Sequence, residues 1–173
     1  MFPIKYETLP NDIVGMTFEN NADQKYKVIS IHDIKSNKVK SYRIRFIETG
    51  YERIIEKVEI RRGKIKDKYE KSVLGMAWMG DVKMVNHKRE YNIWYKMLER
   101  CYGKGSRAYS SYGGKGVTVD PKWFSFEAFV KDVPIVDGYD EGLFREGLLF
   151  LDKDMKQQGI RAKIYSKETC CFE

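Results

Sequence analysis

The sequence predicts an α+β chain: a small N-terminal β-sheet or barrel module over residues 1–72, followed by a compact α/β core over 73–173. Three observations carry that reading. Segments before residue 60 alternate apolar and polar side chains with a period of two, as half-buried strands require. Segments 91–102 and 125–133 repeat their apolar residues with the helical period instead. The stretches beside these helices are glycine-rich loops and very short apolar runs, the texture of a small mixed domain.

In the module, "KYKVISIHDI" (25–34) sets Tyr26, Val28 and Ser30 on one face, with Ile29 and Ile31 on the other. "SYRIRFIETG" (41–50) sets Tyr42, Ile44 and Phe46 against Arg43, Arg45 and Ile47, and Gly50 closes the strand. "YERIIEKVEI" (51–60) opens a third strand, and three or four such strands with polar turns suit a small twisted sheet or barrel. "RRGKIKDKYEKS" (61–72) carries six basic residues in twelve, which suits a linker or a loop laid on a phosphate backbone. "GMAWMG" (75–80) no longer alternates and marks the entry to the core.

"YNIWYKMLERCY" (91–102) is the clearest helix. Tyr91, Trp94, Leu98 and Cys101 form its stripe, Tyr95 and Tyr102 widen it, and Asn92, Lys96, Glu99 and Arg100 fall away from it. Gly103 stops the helix. "GKGSRAYSSYGGKGVTVD" (103–120) is a loop with five glycines, running into a short strand at 117–119. "WFSFEAFVKDV" (123–133) is a second helix, capped by Ser125, with Phe126, Phe129, Val130 and Val133 as its buried stripe. Trp94, Leu98, Trp123, Phe126 and Phe129 are expected to share one cluster. An acidic loop follows at 137–146. The last stretch, "LLFLDKDMKQQGIRAKIYSKETCC" (148–171), reads as two short apolar strands around a polar turn, then a helix-start signal, Ser166-Lys-Glu-Thr, leading into two cysteines.

Charge is the strongest functional signal. The net charge is +7, and residues 61–123 carry 15 Lys/Arg against 6 Asp/Glu, so the middle of the chain holds a net +9 and the rest sums to −2. That clustering predicts one electropositive face and a polyanionic partner, nucleic acid above all. No apolar run approaches the ~20 residues of a membrane span, and "MFPIKYETLP" lacks the layout of a secretory signal. With three cysteines, an odd number, the chain is expected to hold reduced thiols in the cytoplasm.

The ordered motifs "YNIWYKMLERCY", "YSSYGGKGVTVDPKWFSFEAFVKD" and "LFLDKDM…IYSKETCCF" resemble the core of phage-encoded HNH homing-endonuclease-like proteins. The N-terminal stretch from "GMTFENN" to "IRRGKIKDKY" is similar to the small β-module that often precedes that core. The resemblance covers most of the chain and implies a degenerate HNH-like α/β core acting in the cytoplasm of a bacterial host. Relatives continue past the double cysteine into further helix and a DNA-binding tail; this sequence ends at Glu173, which weakens the catalytic expectation.

An HNH nuclease needs a histidine base and one divalent metal. The two histidines here, His32 and His87, both fall outside the strand before the 155–163 turn, where that base belongs. Asp152 and Asp154 lie at i, i+2, on one face of a strand, and are candidate Mg²⁺ ligands; the competing reading is a charged strand end. No cofactor is expected beyond Mg²⁺. Cys101, Cys170, Cys171 and His87 could be assembled into a zinc site on paper, but without a Cys-x-x-Cys pair core thiols are the better reading.

The candidate nucleic-acid or partner contacts are Arg61, Arg62, Lys64, Lys66 and Lys68, then Lys104, Arg107 and Lys115 with Tyr109 and Tyr112 interleaved. The function expected is a phage-type protein that binds DNA or structured RNA without cutting it. The alternatives are an anti-defence inhibitor, such as an anti-CRISPR, that binds a host nuclease ribonucleoprotein or its guide RNA, and a metal-dependent nicking enzyme.

Overall fold

The computed structural model describes residues 9–34 and 39–173; most of the opening segment read against an export signal lies outside them. The fold is α+β. The chain divides between Glu70 and Lys71 into two units, each with its own hydrophobic core. Among the described residues no helix is long and apolar enough to cross a membrane.

The first unit is a four-stranded antiparallel sheet of β1 (Thr17–Glu19), β2 (Lys25–Ile34), β3 (Lys40–Phe46) and β4 (Glu52–Glu56), paired in that order. Among the described residues the sheet is open, with β1 and β4 at its edges. The register places Tyr26 opposite Phe46 and Val28 opposite Ile44, so the apolar sets that alternate in sequence meet on one buried face. On the other face Arg45 Nη2 reaches Glu52 Oε1 at 2.6 Å and Arg43 Nη1 lies 3.6 Å from Glu52 Oε2.

The strand that opens in 51–60 is β4, and it ends at Glu56. After Glu56 the chain turns into a helix, α1 (Lys57–Arg62), because a reciprocal capping box forms: the Glu59 side chain accepts from the Glu56 N–H at 2.9 Å, and the Glu56 side chain takes the first-turn donor in return. Ile60 then points into the core. Gly63 ends the helix in the left-handed region, where a Cβ would lie 2.3 Å from the Asn21 side chain.

Residues 63–67 are therefore neither linker nor free loop. Ile65 is buried in the module's core; the carboxylate of buried Asp67 accepts from the Thr49 hydroxyl and the Tyr69 N–H, and its own N–H donates to Gln24 Oε1. Ile65 docks the segment together with Asp67 and the Asn21 N–H, which donates to the Gly63 carbonyl at 2.8 Å, while the alternating cations stay in water.

In the second unit, α2 spans Lys88–Tyr102 and α3 spans Phe126–Asp132. α2 begins three residues before the apolar stripe, because Lys88, Arg89 and Glu90 are helical without carrying an apolar signal. The Ser125 Oγ accepts the Ala128 N–H at 3.2 Å, the cap expected of it. Trp94, Leu98, Trp123, Phe126 and Phe129 join in one core, as their spacing predicts. The Trp94 indole donates to the Trp123 carbonyl at 2.6 Å, and its ring lies 5.0 Å from that of Phe126. Asp132, charged on an apolar helix, is buried because Lys122 Nζ and the Trp123 indole both donate to it, at 2.7–2.9 Å.

Two expectations for the C-terminal stretch are corrected. The acidic loop contains a helix, α4 (Glu141–Glu146), started by Asp140 accepting from Leu143 N at 2.9 Å and stopped by left-handed Gly147. Ser166-Lys-Glu-Thr does not start a helix. Ser166 and Thr169 exchange hydrogen bonds at 3.0 and 3.2 Å across a single turn. The chain then becomes β8 (Cys171–Phe172), whose backbone is claimed by β6 (Leu151–Asp152) and by Asp137. The two apolar strands around the polar turn also find different partners: β6 pairs antiparallel with β8, and β7 (Ile164–Tyr165) pairs parallel with β5 (Thr118–Val119).

Candidate nucleic-acid interface

The basic residues singled out in the sequence fall into two sets, one in each unit. In the module, Arg61 and Arg62 occupy the last turn of α1, and Lys64 and Lys66 alternate outward from the docked segment. All four are exposed and have no ion-pair partner among the described residues. Lys64 and Lys66 border a shallow hollow with Asn20, Asn21 and Gly63. Lys68 is held differently, with its ammonium about 5 Å from the rings of Tyr51 and Tyr69.

In the second unit, Lys104, Arg107 and Lys115 are exposed on the glycine loop, again without ion-pair partners among the described residues. Two short turns, Tyr109–Ser111 and Gly113–Lys115, fold this loop against the end of α2. The approach is so close that a Cβ on Gly113 would lie 2.0 Å from the Cys101 carbonyl oxygen. Tyr109 and Tyr112 are half-buried rather than projecting. The Tyr112 ring carries two cations, the Arg100 guanidinium at 5.3 Å and the Lys153 ammonium at 4.7 Å, so it acts as a support for charge.

The structure adds cations that the motifs did not mark. A groove of about 590 Å³ runs along α2. Among the described residues its charged lining is Lys88, Arg89, Lys96 and Arg100, with no carboxylate, and its floor is apolar, from Ile93 and Met97 of α2 to Leu149 and Leu151. Lys88 and Lys96 are exposed, while Arg89 is fixed: it donates to the Leu149 carbonyl at 2.6 Å and lies 4.8 Å over the Phe144 ring.

Arg100 rests on Tyr112, which in turn rests on Lys153. Lys153 is only 6 % exposed, which is unusual for a lysine, and it is compensated by Asp154 Oδ2 at 2.7 Å and by the Tyr112 and Tyr165 rings. A sequence signal for the groove was present in the polar residues off the α2 stripe. Its far wall comes from residues some 60 positions away and leaves no local trace.

Asp152 and Asp154 are both engaged by neighbouring groups of the chain. The strand stops at Asp152, so the two carboxylates do not share a strand face. Asp152 Oδ1 accepts the N–H groups of Asp154 and Met155 at 2.6 and 2.7 Å, capping the next turn. Asp154 is bound by the ammonium groups of Lys153 and Lys163, and their hydrogen bonds hold its carboxyl below the usual range. Two ammoniums on one carboxylate do not fit a divalent ion, which would be repelled by them.

Among the described residues no group of three or more His, Cys, Asp or Glu side chains is gathered to hold a metal. His87 lies at the start of α2 beside Glu90, Nδ1 to Oε1 3.1 Å, and His32 is exposed on β2. Cys101 and Cys170 are buried core thiols, raised by burial to about 11 and about 12 respectively.

No family model, no curated protein and no solved structure matches the chain.

Proposed function

We propose that the protein binds nucleic acid without cutting it, on a scaffold like that of the phage HNH endonuclease-like proteins, in the cytoplasm of a bacterial host. One observation carries this reading: the cations of 61–66 and of the glycine loop are exposed, as are Lys88 and Lys96 of the α2 groove, and Arg61, Arg62, Lys64, Lys66, Lys104, Arg107 and Lys115 have no acidic partner among the described residues. Elsewhere the chain does neutralise its charges, as at Arg45–Glu52, Lys122–Asp132 and Arg145–Glu141. Unpaired cations of one sign, in number, attract the phosphate backbone and release its counterions.

The proposed absence of cutting rests on the chemistry of the residues. A nuclease needs a base next to the metal-activated water, and here the carboxylates of 152–154 are committed to backbone N–H groups and lysines. Incubation of supercoiled plasmid with excess protein and Mg²⁺ or Mn²⁺ tests both halves. The expected result is a retarded plasmid that returns to the supercoiled position once the protein is digested away. Nicked product that disappears in Asp152→Ala/Asp154→Ala would instead establish an enzyme, and an unretarded plasmid would count against binding.

A further inference from the structure

We infer that the groove along α2 holds single-stranded nucleic acid, with Phe150 as the platform on which one base stacks. The inference rests on the nucleic-acid reading above and adds to it the form of the ligand. Three features of the groove carry it.

The first is charge. Lys88, Arg89, Lys96 and Arg100 line the groove, and among the described residues no acidic side chain does. From residue 88 to residue 100 the helix advances ~18 Å, which matches about five steps of ~3.4 Å along a stacked strand. Two of these cations are fixed in advance. Arg89 is held by the Leu149 carbonyl and the Phe144 ring, and Arg100 by Tyr112. Cations already ordered lose less freedom when a phosphate arrives.

The second is the floor. Half-buried Ile93 and Leu151 put apolar surface between the cations, over buried Met97 and Leu149. A duplex presents phosphates outward and hides its base faces, so it has nothing to lay on such a floor. A single strand carries phosphates and exposed base faces together.

The third is Phe150. It lines the groove and is 68 % exposed, the most exposed large apolar side chain among the described residues. Its neighbour Leu149 turns inward. The Phe150 backbone is fixed, its N–H donating to the Glu173 carbonyl at 2.8 Å and its carbonyl accepting from the Glu173 N–H at 3.1 Å. A rigidly mounted, solvent-facing aromatic beside a row of cations is the arrangement by which sequence-tolerant single-strand binders stack bases.

The test is fluorescence anisotropy with two probes, labelled oligothymidine and the same strand paired to oligoadenine. The single strand should bind the more tightly. Phe150→Ala should weaken it roughly tenfold or more, and Phe150→Tyr should retain it. The duplex should be indifferent to both changes. Lys88→Ala and Lys96→Ala should each flatten the single-strand salt slope by about 0.7. Because Phe150 is exposed, its variants should melt like wild type, so a loss of binding is a loss of contact. Tighter duplex binding, or a Phe150→Ala protein that holds oligothymidine as wild type does, would overturn the single-strand inference and leave nucleic-acid binding standing. Failure of both probes to bind at low ionic strength would overturn the reading beneath it as well.

Discussion

Replacing Trp94 with alanine is expected to unfold the second unit while the β-module persists. Trp94 is wholly buried, between the rings of Tyr91 at 5.8 Å and Phe126 at 5.0 Å. Its indole N–H also satisfies the Trp123 carbonyl. Truncation would open a cavity where α2 meets α3 and leave that carbonyl without its donor, two costs that add. Loss of a buried tryptophan side chain costs ~3–5 kcal/mol, a large part of the ~5–15 kcal/mol that holds a typical domain.

The module has a separate core, built on Tyr26, Val28, Tyr42, Ile44 and Phe46, and none of it depends on Trp94. Hydrogen exchange read by mass spectrometry separates the two. Amides of 88–102 and 126–132 should lose protection in Trp94→Ala, and those of 25–34 and 40–46 should keep it. Unchanged protection across α2 would show that the indole is not the centre of this core.

The second large effect is on binding. Changing Arg61, Arg62, Lys64 and Lys66 together to alanine should weaken nucleic-acid binding for every sequence alike. The four side chains are exposed and make no ion pair among the described residues, so their removal leaves the fold untouched: the segment is anchored by Ile65 and Asp67, which remain. If all four meet phosphates, the log–log salt slope on duplex DNA should flatten by up to about 3.6, at ~0.9 per contact. The melting temperature of the variant should match wild type. A variant that binds with the wild-type slope would move the contact surface away from α1 and its exit.

How far these sites could be seen in advance depended on whether their signal is local. The alternation of Tyr26/Val28 and Tyr42/Ile44/Phe46 is set by neighbours two apart, and the stripe of α2 by neighbours three and four apart, so both can be found by inspection. The cluster of Trp94 with Trp123 and Phe126 follows once two amphipathic helices must cover each other.

The docking of 63–67 had a weaker cue. One isoleucine in a run of lysines does not announce that the segment lies on a core, and the basic composition suggests a free loop. α4 was obscured because its cap and first turn, Asp140 and Glu141, are also the composition of an acidic loop. The groove was the least legible, since Lys96 and Arg100 look like ordinary solvated positions until Leu149 and Leu151 are brought opposite them. Lys153 illustrates the same limit: between two aspartates it resembles surface charge, and only the Tyr112 and Tyr165 rings make its burial tolerable.

The most direct test of nucleic-acid binding is a titration of the wild-type protein into labelled DNA across a series of salt concentrations. Binding should saturate at low ionic strength and weaken linearly on a log–log plot. With six or more phosphate contacts it should lose ~10³-fold or more between 50 and 200 mM salt. Affinity that is flat with salt, or no binding at the lowest ionic strength, would contradict the account.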